Sequence, residues 1–128
     1  MKKILATIFL FLLLSGCKNQ AEIIDNGRPG QIKVLAFLDE NRNRVMDQDE
    51  VGLVERVAIS QDISCPGSDT NKFTIIETDT SGTALFPELQ PGTYCVMYLG
   101  SKPITTRITQ DIHLSSDQEA VVYFGLAE

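Results

Sequence analysis

The feature that most constrains the fold is a missing period. From residue 31 onward, no window of eleven or more residues keeps apolar side chains at a 3.6-residue spacing. Short period-two runs recur instead. In QIKVLAFL, residues 31–38, Ile32, Val34, Ala36 and Leu38 share one face. RVAISQDI turns Val57 and Ile59 inward, and GTYCVMYL places Tyr94, Val96 and Tyr98 together. KFTIIET, TALF, TTRIT, DIHL and EAVVYFGL supply further short β-rich runs. Between them lie CPGSD, DTSG, QPG and LSSDQ, whose Gly, Pro, Ser and Asp favour turns through unusual φ or local hydrogen bonds. About seven such strands predict an all-β, antiparallel sandwich.

The amino terminus does not belong to that pattern. MKKILATIFLFLLLSGC joins two lysines, an apolar run from Ile4 to Leu14 and small residues before Cys17. These are the parts of an export signal, which fold reasoning excludes. Leu14-Ser15-Gly16-Cys17 resembles the lipobox of bacterial lipoproteins. The resemblance implies that residues 1–16 are removed, that Cys17 carries a diacylglyceryl group and further acylation, and that the protein is membrane-anchored; Lys18, in place of the Asp associated with inner-membrane retention, permits the outer membrane or cell surface. More than one acyl chain anchors stably, at about 0.8 kcal/mol per buried methylene. Residues 17–30 then read as the lipidated cysteine and a flexible linker, and residues 31–128 as the folded domain.

Charge narrows the partners. The whole chain carries a formal net charge of −6, and loss of Lys2 and Lys3 leaves nine Lys plus Arg against seventeen Asp plus Glu, or −8. Such a balance argues against nucleic acid, whose binding rests on neutralising phosphates, and suits divalent cations. With Cys17 committed to lipid, Cys65 and Cys95 remain. An exported chain permits a bridge between them, although two thiols are the alternative that spacing alone leaves open. A bridge would also account for the strand GTYCVMYL. With Tyr94, Val96 and Tyr98 inward, Cys95, Met97 and Leu99 form an outer face too apolar to be left bare.

DENRNRVMDQDE, residues 39–50, is the stretch that bears on chemistry. Side-chain oxygens from Asp39, Asn41, Asn43, Asp47 and Glu50 fall at steps 1, 3, 5, 9 and 12, and the carbonyl of Val45 stands at step 7. Calcium takes six to eight hard oxygens from a loop so spaced, closed by a carboxylate at the twelfth residue. The alternative is a solvated Asx-rich turn. Arg44 occupies step 6, where glycine normally allows the backbone to turn, so a calcium reading requires Arg44 to take a left-handed conformation at about 1–2 kcal/mol. Arg42 and Arg44 also offset part of the loop's negative charge. The expected affinity is therefore that of extracellular modules, on the order of 10⁻⁴ to 10⁻³ M.

Three stretches in order resemble one family. GQIKVLAFLDENRNRVMDQDEVGL resembles the opening strand and acidic loop of the B domains of serine-aspartate-repeat surface proteins (SdrD B-like). TDTSGTALFPELQPGTYCV resembles their second hallmark, a TDxxGxYxFxxLxPGxYxV run, and VVYFGL their closing strand. The resemblance implies an immunoglobulin-like, prealbumin-like sandwich with calcium held by the residues just named. The chain departs from that pattern at Arg44, at Gln48-Asp49, at Ala84 and at Glu55-Arg56. Related modules can join a Lys to an Asn by an isopeptide bond, but the last strand offers Lys33 no Asn or Asp acceptor.

Other chemistry is sparse. His113 is the single histidine, the cysteines lack CxxC spacing, and no GxSxG, phosphate-binding or dinucleotide motif occurs. The expectation is a non-enzymatic, lipid-anchored envelope module with a calcium-stabilised loop. A receptor or adhesin domain that binds an envelope protein or carbohydrate, with calcium incidental, is the second expectation.

Overall fold

The computed structural model describes residues 26–61, 65 and 73–128. The export signal, Cys17 and most of the linker lie outside these residues, as does most of the segment between Cys65 and the next strand. Seven strands follow in order: β1 (Gly30–Leu38), β2 (Arg56–Gln61), β3 (Thr74–Glu77), β4 (Thr83–Leu89), β5 (Gly92–Tyr98), β6 (Thr109–Leu114) and β7 (Glu119–Leu126). They form two packed sheets, β4-β1-β7 and β3-β2-β5-β6. The all-β sandwich expected from the period-two pattern is the fold of the described residues.

The alternation places the core. Of the inward set read from the sequence, Ile32, Val34, Val57, Ile59, Tyr94, Val96 and Tyr98 belong to one buried cluster, joined by Phe86, Leu114, Val122, Phe124 and Leu126. Burial of each large apolar side chain stabilises the fold by roughly 1.5–3 kcal/mol. Tyr94 keeps its hydroxyl satisfied by donating to the carbonyl of Gln90, 2.6 Å away.

Three expectations need correction. Leu38 is half-buried and lies outside the core cluster, because the alternation breaks at Ala36-Phe37, where both side chains are buried. Phe37 lies on the far face of the sheet, edge-on to the ring of Tyr123 at a centroid distance of 6.4 Å. TTRIT is not a strand. Thr105–Arg107 bend past the edge of β7, where Thr105 N–H donates to the Gly125 carbonyl at 2.8 Å, and only Thr109 enters β6. The sheets are also not wholly antiparallel, since β1 pairs with β7 in parallel over eight positions, from Gln31↔Glu119 to Leu38↔Leu126. The other strand pairs are antiparallel.

Cys65 and Cys95 are bridged, with Cα atoms 5.3 Å apart. Cys95 is wholly buried on the outward side of β5, in register with Ser60 of β2. Ala58, on that same side, is buried as well. The apolar outer face that the sequence made conspicuous is therefore covered where the bridge sits. With the cysteines 30 positions apart in sequence, the chain-entropy model assigns such a bridge about 3–4 kcal/mol.

Candidate metal loop

The loop from Asp39 to Glu50 is clamped at its base by strand geometry. As the chain leaves it, Val51 and Leu53 run back along β1: Leu38 N–H donates to the Val51 carbonyl and Leu53 N–H to the Ala36 carbonyl, both at 2.9 Å. On the other side, Asp39 N–H donates to the Leu126 carbonyl at 2.8 Å. The loop's first residue is thus fixed between the returning chain and β7. Gly52 makes the return possible, because a Cβ there would stand 1.9 Å from the Ser81 carbonyl oxygen.

Asp39 organises the interior. It is 1% exposed. Its Oδ1 accepts from Asn43 N–H at 3.1 Å, and its Oδ2 accepts from Arg44 N–H at 3.0 Å and from the Thr105 hydroxyl at 2.5 Å. Arg44 takes the left-handed conformation that its position demands, at φ 65°, and Arg42 does so at φ 56°. The two oxygens of one carboxylate, held by successive N–H groups, supply part of the offset for that strain.

Further along, Asn43 N–H donates to Asn41 Oδ1 at 3.1 Å and Val45 N–H to Asn43 Oδ1 at 2.9 Å, so the chain curls around its own amide side chains. Asp47 Oδ2 accepts from Asn41 Nδ2 at 2.7 Å and Asn43 Nδ2 at 2.8 Å. Glu50 is 8% exposed, and its Oε2 accepts from Asp47 N–H at 2.9 Å. Its Oε1 is buried and accepts no hydrogen bond among the described residues.

All six positions picked from the sequence therefore lie in one closed loop, with Asn41 and Asn43 each bonded side chain to side chain with Asp47. Val45 is a rim residue, 58% exposed. The three carboxylates do not all bring oxygens within 4.8 Å of one another, and both asparagine amide nitrogens are turned onto Asp47. Nor do Arg42 and Arg44 pair with them, since the ion pair among the described residues is Arg28–Asp117 at 3.6 Å. The offset of loop charge expected from the two arginines is not realised as direct ion pairs. Neutral amides alone face Asp47, and the second Glu50 oxygen faces none. An uncompensated buried carboxylate oxygen costs roughly 1–3 kcal/mol or more, which is the kind of debt a hard cation removes.

Two contributors had no sequence signal. Thr105 reaches Asp39 across 66 residues of chain. Gly125 leaves room for that contact, because a Cβ on it would stand 2.5 Å from Thr105 Oγ1 and 3.2 Å from Asp39 Oδ2. Among other candidate residues, His113 is exposed on β6 opposite Thr93, and Lys33 pairs in register with Leu85 and Val121. Cys65, Cys95 and Asp111 lie close together, but both sulfurs are consumed by the bridge.

No protein-family profile and no curated protein matches the chain. Solved structures do. A streptococcal ancillary pilin aligns over 80% of this chain and 33% of its own length, at 14% identity and a TM-score of 0.57. The minor pilin GBS52 of Streptococcus agalactiae aligns over 79% of this chain and 45% of its own, at 12% identity and 0.55. The major pilin SpaD of Corynebacterium diphtheriae aligns over 79% of this chain and 32% of its own, at 16% identity and 0.51. The chain spans less than half the length of each. At these identities the likeness is one of fold: a pilin-type immunoglobulin-like sandwich.

Proposed function

We propose that this protein is a non-enzymatic envelope module, anchored through lipid at Cys17 and exposed outside the cytoplasm, whose loop from Asp39 to Glu50 holds calcium as a structural brace. The carrying observation is the buried Glu50 side chain at the twelfth step, with one oxygen bonded to the loop backbone and the other bonded to nothing among the described residues. The left-handed Arg44 and the clamped loop base support the same reading. Asp39, Asn41, Asn43, Asp47 and Glu50, with the Val45 carbonyl, would hold the ion. Calcium would neutralise carboxylates that otherwise repel one another within one short turn. The pilin-type fold and the lipobox-like segment favour a surface role.

The test is a melt with and without calcium. With a dissociation constant near 1 mM, about 10 mM calcium adds roughly 1.4 kcal/mol, a rise in Tm of about 5–10 °C for a domain of this size. Glu50→Gln should abolish that rise without lowering the calcium-free melt, since the amide keeps the volume and removes the unmatched charge. A wild-type melt indifferent to 10 mM calcium would sink the metal reading. Intact mass of the exported protein, with Cys17→Ser as control, checks the anchor.

A further inference from the structure

The sandwich has four sheet edges, and three carry devices that discourage pairing with another chain. At the β4 edge, Pro87 lacks an N–H and Glu88 sits in a left-handed bulge at φ 54°, where the β1 register shifts. β3 is four residues long. The β6 edge carries Asp111, which accepts the Cys65 backbone N–H at 3.1 Å. β7 differs. Its Val121 and Tyr123 are 40% and 41% exposed, and Glu119–Tyr123 contains no Pro, Lys or bulge.

The phase of β7 settles which backbone groups meet that edge. Leu126 and Gln118 turn their carbonyls toward β1, accepting from Asp39 and Gln31. Odd-numbered residues face the other way: the Gly125 carbonyl accepts from Thr105 N–H, and the Tyr123 carbonyl accepts from the Gln110 side chain at 3.0 Å. Val121 and Glu119 share this phase. Residues 103–106 meet the far end of the edge, where Ile104 bridges Leu126 and Ala127 N–H donates to the Pro103 carbonyl, so among the described residues the stretch open to a further strand is Glu119–Tyr123. Beside the edge runs a groove of about 1050 Å³, lined in part by Ile108, Val121, Tyr123, Arg44 and Arg107. Neither arginine forms an ion pair among the described residues.

We propose that this edge is a self-association surface: two copies pair antiparallel, β7 to β7, about a two-fold axis at Val121, and join their three-stranded sheets into one of six strands. The occupant follows from charge and symmetry. An antiparallel register centred on Val121 sets the second copy's Glu119 opposite Tyr123, where its N–H takes the place of the Gln110 amide on the Tyr123 carbonyl, beside Arg44 and Arg107, and by symmetry the same contact forms twice. Glu119 is available for it, since its bond within the chain is to the neutral amide of Gln31. Val121 then faces its own copy as a hydrogen-bonded cross-strand pair, and Tyr123 packs over the partner strand.

The test is sedimentation of the full chain in mild detergent across about 1–100 µM, where an interface of this kind makes mass concentration-dependent. The wild type should move from monomer to dimer in that range. Val121→Pro removes an N–H that points away from β1, so the fold should persist, with an unchanged circular dichroism spectrum, while the dimer is lost. Glu119→Arg and Arg107→Glu should each weaken association about tenfold, and the double variant should restore it to within about threefold. A monomer throughout the range, whether or not β7 takes some other ligand, overturns the proposal. So does a dimer that survives Val121→Pro or that the charge exchange fails to rescue.

Discussion

Asp79 shows how much one exposed side chain can fix. Its Oδ1 accepts from the Ser81 hydroxyl at 2.6 Å, from Ser81 N–H at 2.9 Å and from Thr83 N–H at 3.0 Å, and so builds the turn between β3 and β4. The Ser81 hydroxyl foremost, and then the Thr83 N–H, hold its carboxyl below the ordinary carboxylate range. The unfolded chain therefore binds that proton more readily than the folded one. The stability Asp79 contributes is present above the unfolded-state pKa and is lost as pH falls through the lower folded value. A carboxyl-detected NMR titration should place Asp79 below the value of an unperturbed aspartate; titration at or above that value would contradict the assignment. DTSG was readable as a turn because Asp and Gly have local reasons to be there. Asp39 was readable as a ligand candidate, but its bond to Thr105 was not, because local spacing carries no trace of a partner 66 residues away.

Among the elements, the approach of two backbones at Gly52 and Gly82 joins the loop exit to the β3–β4 turn. A Cβ on Gly82 would meet the Ala36 carbonyl at 2.1 Å and Gly52 Cα at 2.7 Å, and Gly82 sits at φ 81°. Gly52 has ordinary backbone angles but no space, so Gly52→Ala should destabilise by on the order of 3 kcal/mol through displacement of the Ser81 peptide. Chemical denaturation reads this directly, and a loss under about 0.5 kcal/mol would show that the two segments separate easily. The strands themselves were legible where one face is buried and the other wet. Legibility failed at Phe37 and at residues 105–108, for opposite reasons. Phe37 is apolar on a face that neighbouring segments cover, so alternation no longer marks the core. Thr105–Ile108 have strand-forming side chains, but their backbone bonds are divided, with Thr105 N–H going to Gly125 at the rim of β7 and the Ile108 carbonyl accepting from Tyr98 of β5, so they extend no ladder.

Over the whole molecule, seven period-two runs and their turns imply two facing sheets, because each run has one apolar face to cover. They do not imply the parallel contact between the first and last strands. Period-two patterning reads the same for either direction of a neighbour, so nothing in EAVVYFGL announces that it lies beside QIKVLAFL and runs the same way. The Asp39–Glu50 loop, the Thr105 contact and the proposed association edge all depend on that placement: β7 supplies the Leu126 carbonyl that fixes Asp39, the Gly125 space for Thr105, and the odd-numbered edge.

The β1–β7 pairing also sets an order of events in time. Gln31 and Glu119 are 88 residues apart, so β1 cannot acquire its parallel neighbour until nearly the entire chain has been delivered. Such distant contacts slow folding, into the millisecond-to-second range typical of β-sandwiches. Deletion of residues 119–128 should therefore abolish cooperative unfolding altogether, and a truncated chain that still melted in one sharp transition would show that the remaining strands suffice. A chain threaded across a membrane amino end first would stay open, and able to pass, until its last strand arrived to close the sheet.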